Sequence, residues 1–387
     1  MLPFTAKRLT SRKMSLRQGN RVRKFVGLQI IALLFTWAAG GRGQEPESKP
    51  PWYKTISVNG FLSVAYSYNF NKPDSLKNQY HVFDFDDNSM KIDVVQLCVR
   101  KEVANPNDAG FRVDLTAGSS IPRVTRSAGL NVGDLDFPQL FLSYIVPLGS
   151  GVRFDVGKFS TSMGYEVIEG FGAYNDNYSR SFLFGYAIPF THTGVKASYG
   201  LSKNVSAMIM VVNGWDNAID NNTSKSFCGQ IGILPTHNVS IFLNHMVGPE
   251  KSGNNTDNRR LFDLASTWSF TEKLIVGANA DFGTEERSTT EGRTASWVGV
   301  AGYVRLNPFS AFSVSLRAEQ FEDRDGLRTG VVQKLREVTL TPEYRATEHL
   351  VIRADLRLDD SSEDVFETER DLKNTQMTAS LNVLYTF

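Results

Sequence analysis

Between positions 162 and 188 the chain gathers three carboxylates and a guanidinium, Glu166, Glu169, Asp176 and Arg180. They stand among Tyr165, Phe171, Tyr174, Tyr178, Phe182, Phe184 and Tyr186. Fixed charge set among aromatic rings suits an electrostatic filter, because low-dielectric walls focus the field of the charges they enclose. Nucleophilic catalysis would need a serine, a histidine and an acid brought together. His192 with Ser179 or Ser181 and Asp176 is the local set of those types. Metal chemistry has less to work with. His81, His192, His237, His245 and His349 do not cluster, and no two have the helical spacing of a zinc pair. Asp84-x-Asp86-x-Asn88 begins like a calcium loop. Ser89 stands where an EF-hand needs glycine, however, and Val95 where it needs a bidentate glutamate. That excludes the EF-hand and leaves only a looser calcium site open. No catalytic residue, resident metal or cofactor is assigned.

The segments that must carry these residues alternate with a period of two. In 349–359, Leu350, Ile352, Ala354, Leu356 and Leu358 share one face, and Arg353, Asp355, Arg357 and Asp359 the other. In 310–321, Val314, Leu316 and Ala318 oppose Ser315, Arg317 and Glu319; in 109–120, Val113 and Leu115 oppose Arg112 and Asp114. Sixteen such segments run from 55–69 to 373–387. The connections between them are short and long in strict alternation, which predicts tight periplasmic turns and long extracellular loops. The fold class expected is all-β, a transmembrane antiparallel barrel of about 16 strands. A charged side chain facing lipid costs about 2–4 kcal/mol at the bilayer midplane. Arg112, Asp114, Arg317, Glu319, Arg353, Asp355 and Arg357 are therefore expected to line the lumen. A barrel of this size is expected to leave a water-filled interior.

The two ends of the chain fit the same class. Residues 1–43 carry nine Lys or Arg, no acid, and an apolar run too short to span a bilayer as a helix, the pattern of a secretory signal peptide. Either Met1 or Met14 can serve as its start. Residues 44–54 are expected to be a periplasmic lead, and residues 55–387 the barrel. The full chain has 42 basic and 41 acidic residues; without the signal peptide 33 and 41 remain, a net −8 that speaks against nucleic acid as a partner. Cys98 and Cys228 are too few for a disulfide framework. The last strand, Met377 to Phe387, ends in Tyr385-x-Phe387, which resembles the terminal signal read by the barrel assembly machinery.

A family resemblance runs through the middle of the chain. Asp84-Phe85-Asp86-Asp87-Asn88-Ser89, Gly157-Lys158-Phe159 and Gly164-Tyr165-Glu166-Val167-Ile168-Glu169 are similar to the OmpL-like β-barrel porin-2 family. So are Asn177-Tyr178-Ser179-Arg180-Ser181, Ile188-Pro189-Phe190-Thr191-His192-Thr193-Gly194 and Val212-Asn213-Gly214-Trp215-Asp216-Asn217. The run from Asn175 to Tyr199 is the most specific part. The resemblance implies an outer-membrane porin whose substrates are mostly undefined; small polar solutes, outer-membrane lipid and a homo-oligomeric partner are the expectations for this chain. The resemblance supplies no catalytic residues. The 162–188 loop follows the fifth strand and resembles the loop that folds into the lumen of general porins. An adhesin or structural barrel working through its loops, and an outer-membrane hydrolase, are the competing readings.

Overall fold

The computed structural model describes residues 51–120 and 135–387. The expected signal peptide, most of the lead and most of the 121–135 loop lie outside the described residues. The strands are β1 (Ile56–Asn69), β2 (Ser89–Lys101), β3 (Ala109–Ala117), β4 (Leu135–Val146), β5 (Val152–Ser160), β6 (Thr191–Gly200), β7 (Val205–Val212) and β8 (Ser226–Thr236). They continue as β9 (Val239–Pro249), β10 (Asn258–Ser269), β11 (Leu274–Glu285), β12 (Ala295–Phe309), β13 (Phe312–Asp323), β14 (Gln333–Arg345) and β15 (Leu350–Ser361). A two-residue ribbon, β16 (Phe366–Glu367) with β17 (Leu372–Lys373), precedes the last strand, β18 (Thr375–Thr386). The ribbon apart, sixteen strands pair antiparallel with their neighbours, and β1 meets β18 to close a barrel.

Why these segments become strands follows from the two solvents they face. In β15, Arg353, Asp355, Arg357 and Asp359 are buried inside, whereas Leu356 and Leu358 are exposed outside. The same outward apolar row continues through Leu142, Ile209, Leu243, Val300, Leu316 and Leu340. An exposed apolar surface of that extent has no place on a monomeric soluble protein and suits lipid. No described helix is long and apolar enough to cross a membrane. A closed ring of strands leaves no backbone N–H or C=O unpaired inside lipid, which an open sheet cannot do. Trp268, Phe270, Phe309, Tyr344, Tyr385 and Phe387 are exposed where the short turns lie, as an interfacial belt requires.

The seam of the ring is pinned at its edge. Gly60 donates to the carbonyl of Phe387 at 2.9 Å, and Phe387 donates back to Gly60 at 3.1 Å. The Phe387 ring lies over Gly60 so closely that a Cβ there would sit 2.1 Å from the ring. Deleting Phe387 removes both hydrogen bonds and the ring, so the seam should open first there. The expected outcome is a lower temperature for loss of the fast-migrating barrel band on electrophoresis. Gly60→Val should lower it less, because the terminal ring can swing aside. An unchanged transition after the deletion would show that the seam does not depend on this pair.

Candidate functional site

The lumen is where the charged faces converge, and over much of its wall it is not open. The connection 161–190, with one π-helical turn at Leu183–Ala187, crosses from β5 to the far wall before returning to β6. Tyr165 starts the crossing. Its ring stacks on Tyr303 at 4.1 Å between centroids and packs against Gly277, where a Cβ would be 2.4 Å from it. Glu166 then accepts from Arg317 Nη1 at 2.7 Å, while Arg317 Nε donates to Glu337 at 2.6 Å. Glu169 accepts from Arg353 Nη2 at 2.7 Å and pairs with Arg180 at 3.2 Å. Phe171 donates its amide to Gln96 of β2 at 2.6 Å. Asp176 pairs with Arg305, which also reaches Glu343 at 3.2 Å. The amides of Tyr178 and Ser179 donate to Asp355, and those of Phe182 and Leu183 to Glu319.

Each of these pairs is chosen by burial. A charge taken out of water is tolerated only when a partner and further hydrogen bonds satisfy it. Arg317, Arg353 and Arg357 are among the largest fully buried side chains described. Aromatic faces complete their shells: Arg353 lies over Tyr174 and Tyr178, Arg357 over Phe182 at 4.7 Å, and Arg180 over Phe83 at 4.8 Å. Burial alone would push the Glu169 carboxyl up, but Arg180 and Arg353 outweigh it and hold it below the usual range.

The structure therefore brings Glu166, Glu169, Asp176 and Arg180 onto Arg317, Glu319, Arg353, Asp355 and Arg357. Arg112 and Asp114 stand apart on β3, paired with each other at 2.9 Å. The expected water-filled interior is corrected: on the β10–β15 side the lumen is packed. The reason is that the inward face is not uniformly polar. Leu261, Trp297, Phe321 and Leu335 occupy lumen-facing positions towards the long loops, and loop aromatics cover them.

Two further connections enter the barrel that the sequence alone did not reveal as inward. In 70–88, Phe83 packs on Phe184 and Tyr80 on Tyr186 and Phe366. In 324–332, Arg328 donates to the Tyr186 carbonyl at 2.6 Å and lies over Trp215 and Trp297. The calcium-like motif has other partners. Asp84 holds His81, Asp86 pairs with Lys77, and Asp87 accepts the Asn69 amide. No metal-binding cluster occurs among the described residues. The hydrolase set is dispersed as well. Ser179 donates to Asp355, Ser181 to Glu166, and Asp176 accepts from Arg305. His192 contacts Thr161 and the Gly214 carbonyl, each at 3.1 Å. Cys98 and Cys228 are free and buried.

Residues 55–387 match the family of OmpL-like beta-barrel porin-2 proteins. This chain belongs to that family. It is a porin of the bacterial outer membrane. No curated protein matches it significantly. Its fold is that of the anion-selective porin from Comamonas acidovorans, with a TM-score of 0.58 at 10% identity over 86% of this chain and 99% of that one. The outer membrane channel DcaP of Acinetobacter baumannii gives 0.58 at 10% identity, covering 86% and 97%. The trimer form of OmpT, an outer membrane protein of Vibrio cholerae, gives 0.54 at 12% identity, covering 86% and 99%. At these identities the likeness is one of fold.

One contact in the porin's lumen is built on a histidine between two carboxylates. His81 places Nδ1 2.7 Å from Asp84 and Nε2 2.7 Å from Asp359, with its side chain fully buried. A neutral imidazole donates from one nitrogen only, so two carboxylates at this distance require the imidazolium. Burial and the nearby Arg357 push its pKa down, but Asp84 and Asp359 outweigh them and leave it above the ordinary 6.5. Asp84 is held below the carboxylate range, its burial overcome chiefly by His81. The folded value of His81 is raised, so its clamp is complete below about pH 6.5 and is lost as pH rises through that raised value. A nitroxide on Ser75→Cys, with Cys98 and Cys228 replaced by Ser, should be immobilised at pH 6 and gain mobility as the pH is raised. His81→Gln should free it at both ends of the range. A spin-label spectrum indifferent to pH in the His81 protein would rule the clamp out.

Proposed function

We propose that this porin is a passive diffusion channel for small hydrophilic solutes in which the 162–188 loop sets the width of the passage. The observation that carries this is the set of loop-to-wall ion pairs: Glu166 to Arg317, Glu169 to Arg353 and Asp176 to Arg305. They hold the loop across the lumen rather than above it. Each pair is fully or mostly buried, and removing one partner from a buried pair costs roughly 3–5 kcal/mol. The constriction is therefore rigid, a fixed aperture rather than a mobile lid. A passive channel needs a polar path and a stable aperture, and no covalent chemistry.

The negative potential expected from Glu166, Glu169 and Asp176 is cancelled by their arginine partners. These acids act in this reading as anchors, not as a cation filter. The short turns are assigned to the periplasm and the long loops to the exterior. Tyr385 and Phe387 at the seam are assigned as the signal read by the barrel assembly machinery. Homo-oligomerisation belongs to the same reading, since the trimer form of OmpT is built on the same fold.

Deleting residues 168–180 removes Glu169 and Asp176 and leaves Arg353 and Arg305 facing open water. Single-channel conductance in planar bilayers should rise severalfold. The double change Glu166→Gln and Glu169→Gln, which keeps the loop but loosens its anchors, should instead give a noisier open current at similar mean conductance. If the deletion leaves conductance as it was, the loop does not limit the passage.

A further inference from the structure

Resting on the reading of this lumen as a channel, we infer that its solvated wall is built to pass small oxyanions, along a belt of Arg100, Arg112, Arg153 and Lys196. The belt is defined by what the inward loops leave uncovered. On β12–β15 the lumenal arginines are sealed: Arg305, Arg317, Arg353 and Arg357 have side chains no more than 4% exposed. On β2, β3, β5 and β6 they reach water, with Arg100 24%, Arg112 22%, Arg153 16% and Lys196 21% exposed. The carboxylates beside them do not. Asp114 is 1% and Asp155 4% exposed, each lying beneath the cations it serves. Asp155 alone accepts from Arg153 at 2.8 Å and from Lys196 at 3.1 Å. Glu102, which pairs with Arg100 at 3.1 Å, is accessible beside the β2–β3 turn, where Asp108 also lies. These four cations thus pair with three carboxylates, and two of those three are withdrawn from the water the solute would cross.

The register sets the belt in two pairs of strands on either side of β4, whose inward row here is Phe141, Ser143 and Ile145. Arg100 and Arg112 are directly opposed on β2 and β3. Like charges opposed across strands are destabilising, so the sheet retains an arrangement that its own stability disfavours. Asp155 is opposite Lys196 across β5 and β6, and Arg153 is two residues nearer the short turns. Asp114 takes Nε and Nη2 of Arg112, while Asp155 and Ser143 take Nε and Nη2 of Arg153, so neither set uses Nη1. Lys196 lies over Phe159 at 4.6 Å and Phe141 at 5.6 Å, and Arg100 over the loop residue Phe171 at 5.4 Å. Aromatic faces hold the cations in place without neutralising them. Guanidinium groups with free N–H donors match carboxylate and phosphate oxygens, and they exclude cations by charge. The fold shared with an anion-selective porin would not give this property by itself; the placement of these four side chains does.

The experiment is the reversal potential of the full-length protein in planar bilayers under a potassium chloride gradient, with inorganic phosphate then added as a probe. The native channel should favour chloride over potassium, and phosphate should reduce the chloride current. The variant Arg112→Gln, Arg153→Gln, Lys196→Gln should lower the permeability ratio by about tenfold at low salt, where screening is weak, and should lose the phosphate effect. The native measurement decides the sign even if the variant fails to assemble. A native channel that prefers potassium, or one that passes chloride without responding to phosphate, overturns the oxyanion path while leaving the channel reading intact. A barrel that inserts and conducts nothing overturns the channel reading instead.

Discussion

Lipid outside the barrel is the constraint from which the rest follows. It requires every strand to pair on both sides, which the ring from β1 to β18 achieves. It also sends the charges of each strand's membrane-spanning middle inward; outward ones such as Arg336 and Asp360 lie at the strand ends beside the long loops. Charges gathered in a lumen then need partners of their own. On β12–β15 water does not supply them; the inward loop does, through Glu166, Glu169, Asp176 and the amides of residues 178–183. The loop's sequence is thus dictated by the wall it covers. Its acids answer Arg317, Arg353 and Arg305, and its free amides answer Asp355 and Glu319.

The barrel was legible because its signal is local. The alternation of Arg353, Asp355 and Arg357 with Ala354, Leu356 and Leu358 reports the two faces of β15 within nine residues, and the same holds for β3 and β13. Strand ends shifted by only a few residues: the segment read as 189–201 is Thr191–Gly200, because 188–190 complete the crossing loop. The filling of the lumen was much less legible. Its contacts join residues far apart in sequence, such as Glu166 with Arg317 and Glu169 with Arg353, and no periodicity reports such pairs. A signal did exist. Trp297, Phe321 and Leu335 fall on the lumenal face of their strands, where a water-filled channel would have polar groups, and Tyr80, Phe83 and Phe85 cluster in the 70–88 connection. Large apolar residues in a lumenal register mark the places where something folds in to cover them.

Charge counting along the sequence also misled where charge placement did not. The acids of the 162–188 loop read as a negative constriction, but each lies on a buried arginine. What a solute meets is the charge left exposed, and that lies on the opposite wall. The distinction is one of desolvation. A pair sealed on both sides is a weak source of field for a passing ion, whereas a partly exposed arginine above a sealed aspartate turns its positive end to the water.

The packed interior has a consequence for how the molecule is held together. A wide barrel is commonly held by its sheet alone, with an empty middle that contributes nothing to cohesion. Here Phe182, Phe184, Phe83, Trp297 and Phe321 form an apolar nucleus inside the ring. The loops that build it pack directly on the inner wall of the closed ring, so the loops and the sheet hold one another in place. The porin thus combines two ways of becoming stable, a lipid-facing hoop and a globular heart, and damage to the heart will surface as a defect of the hoop.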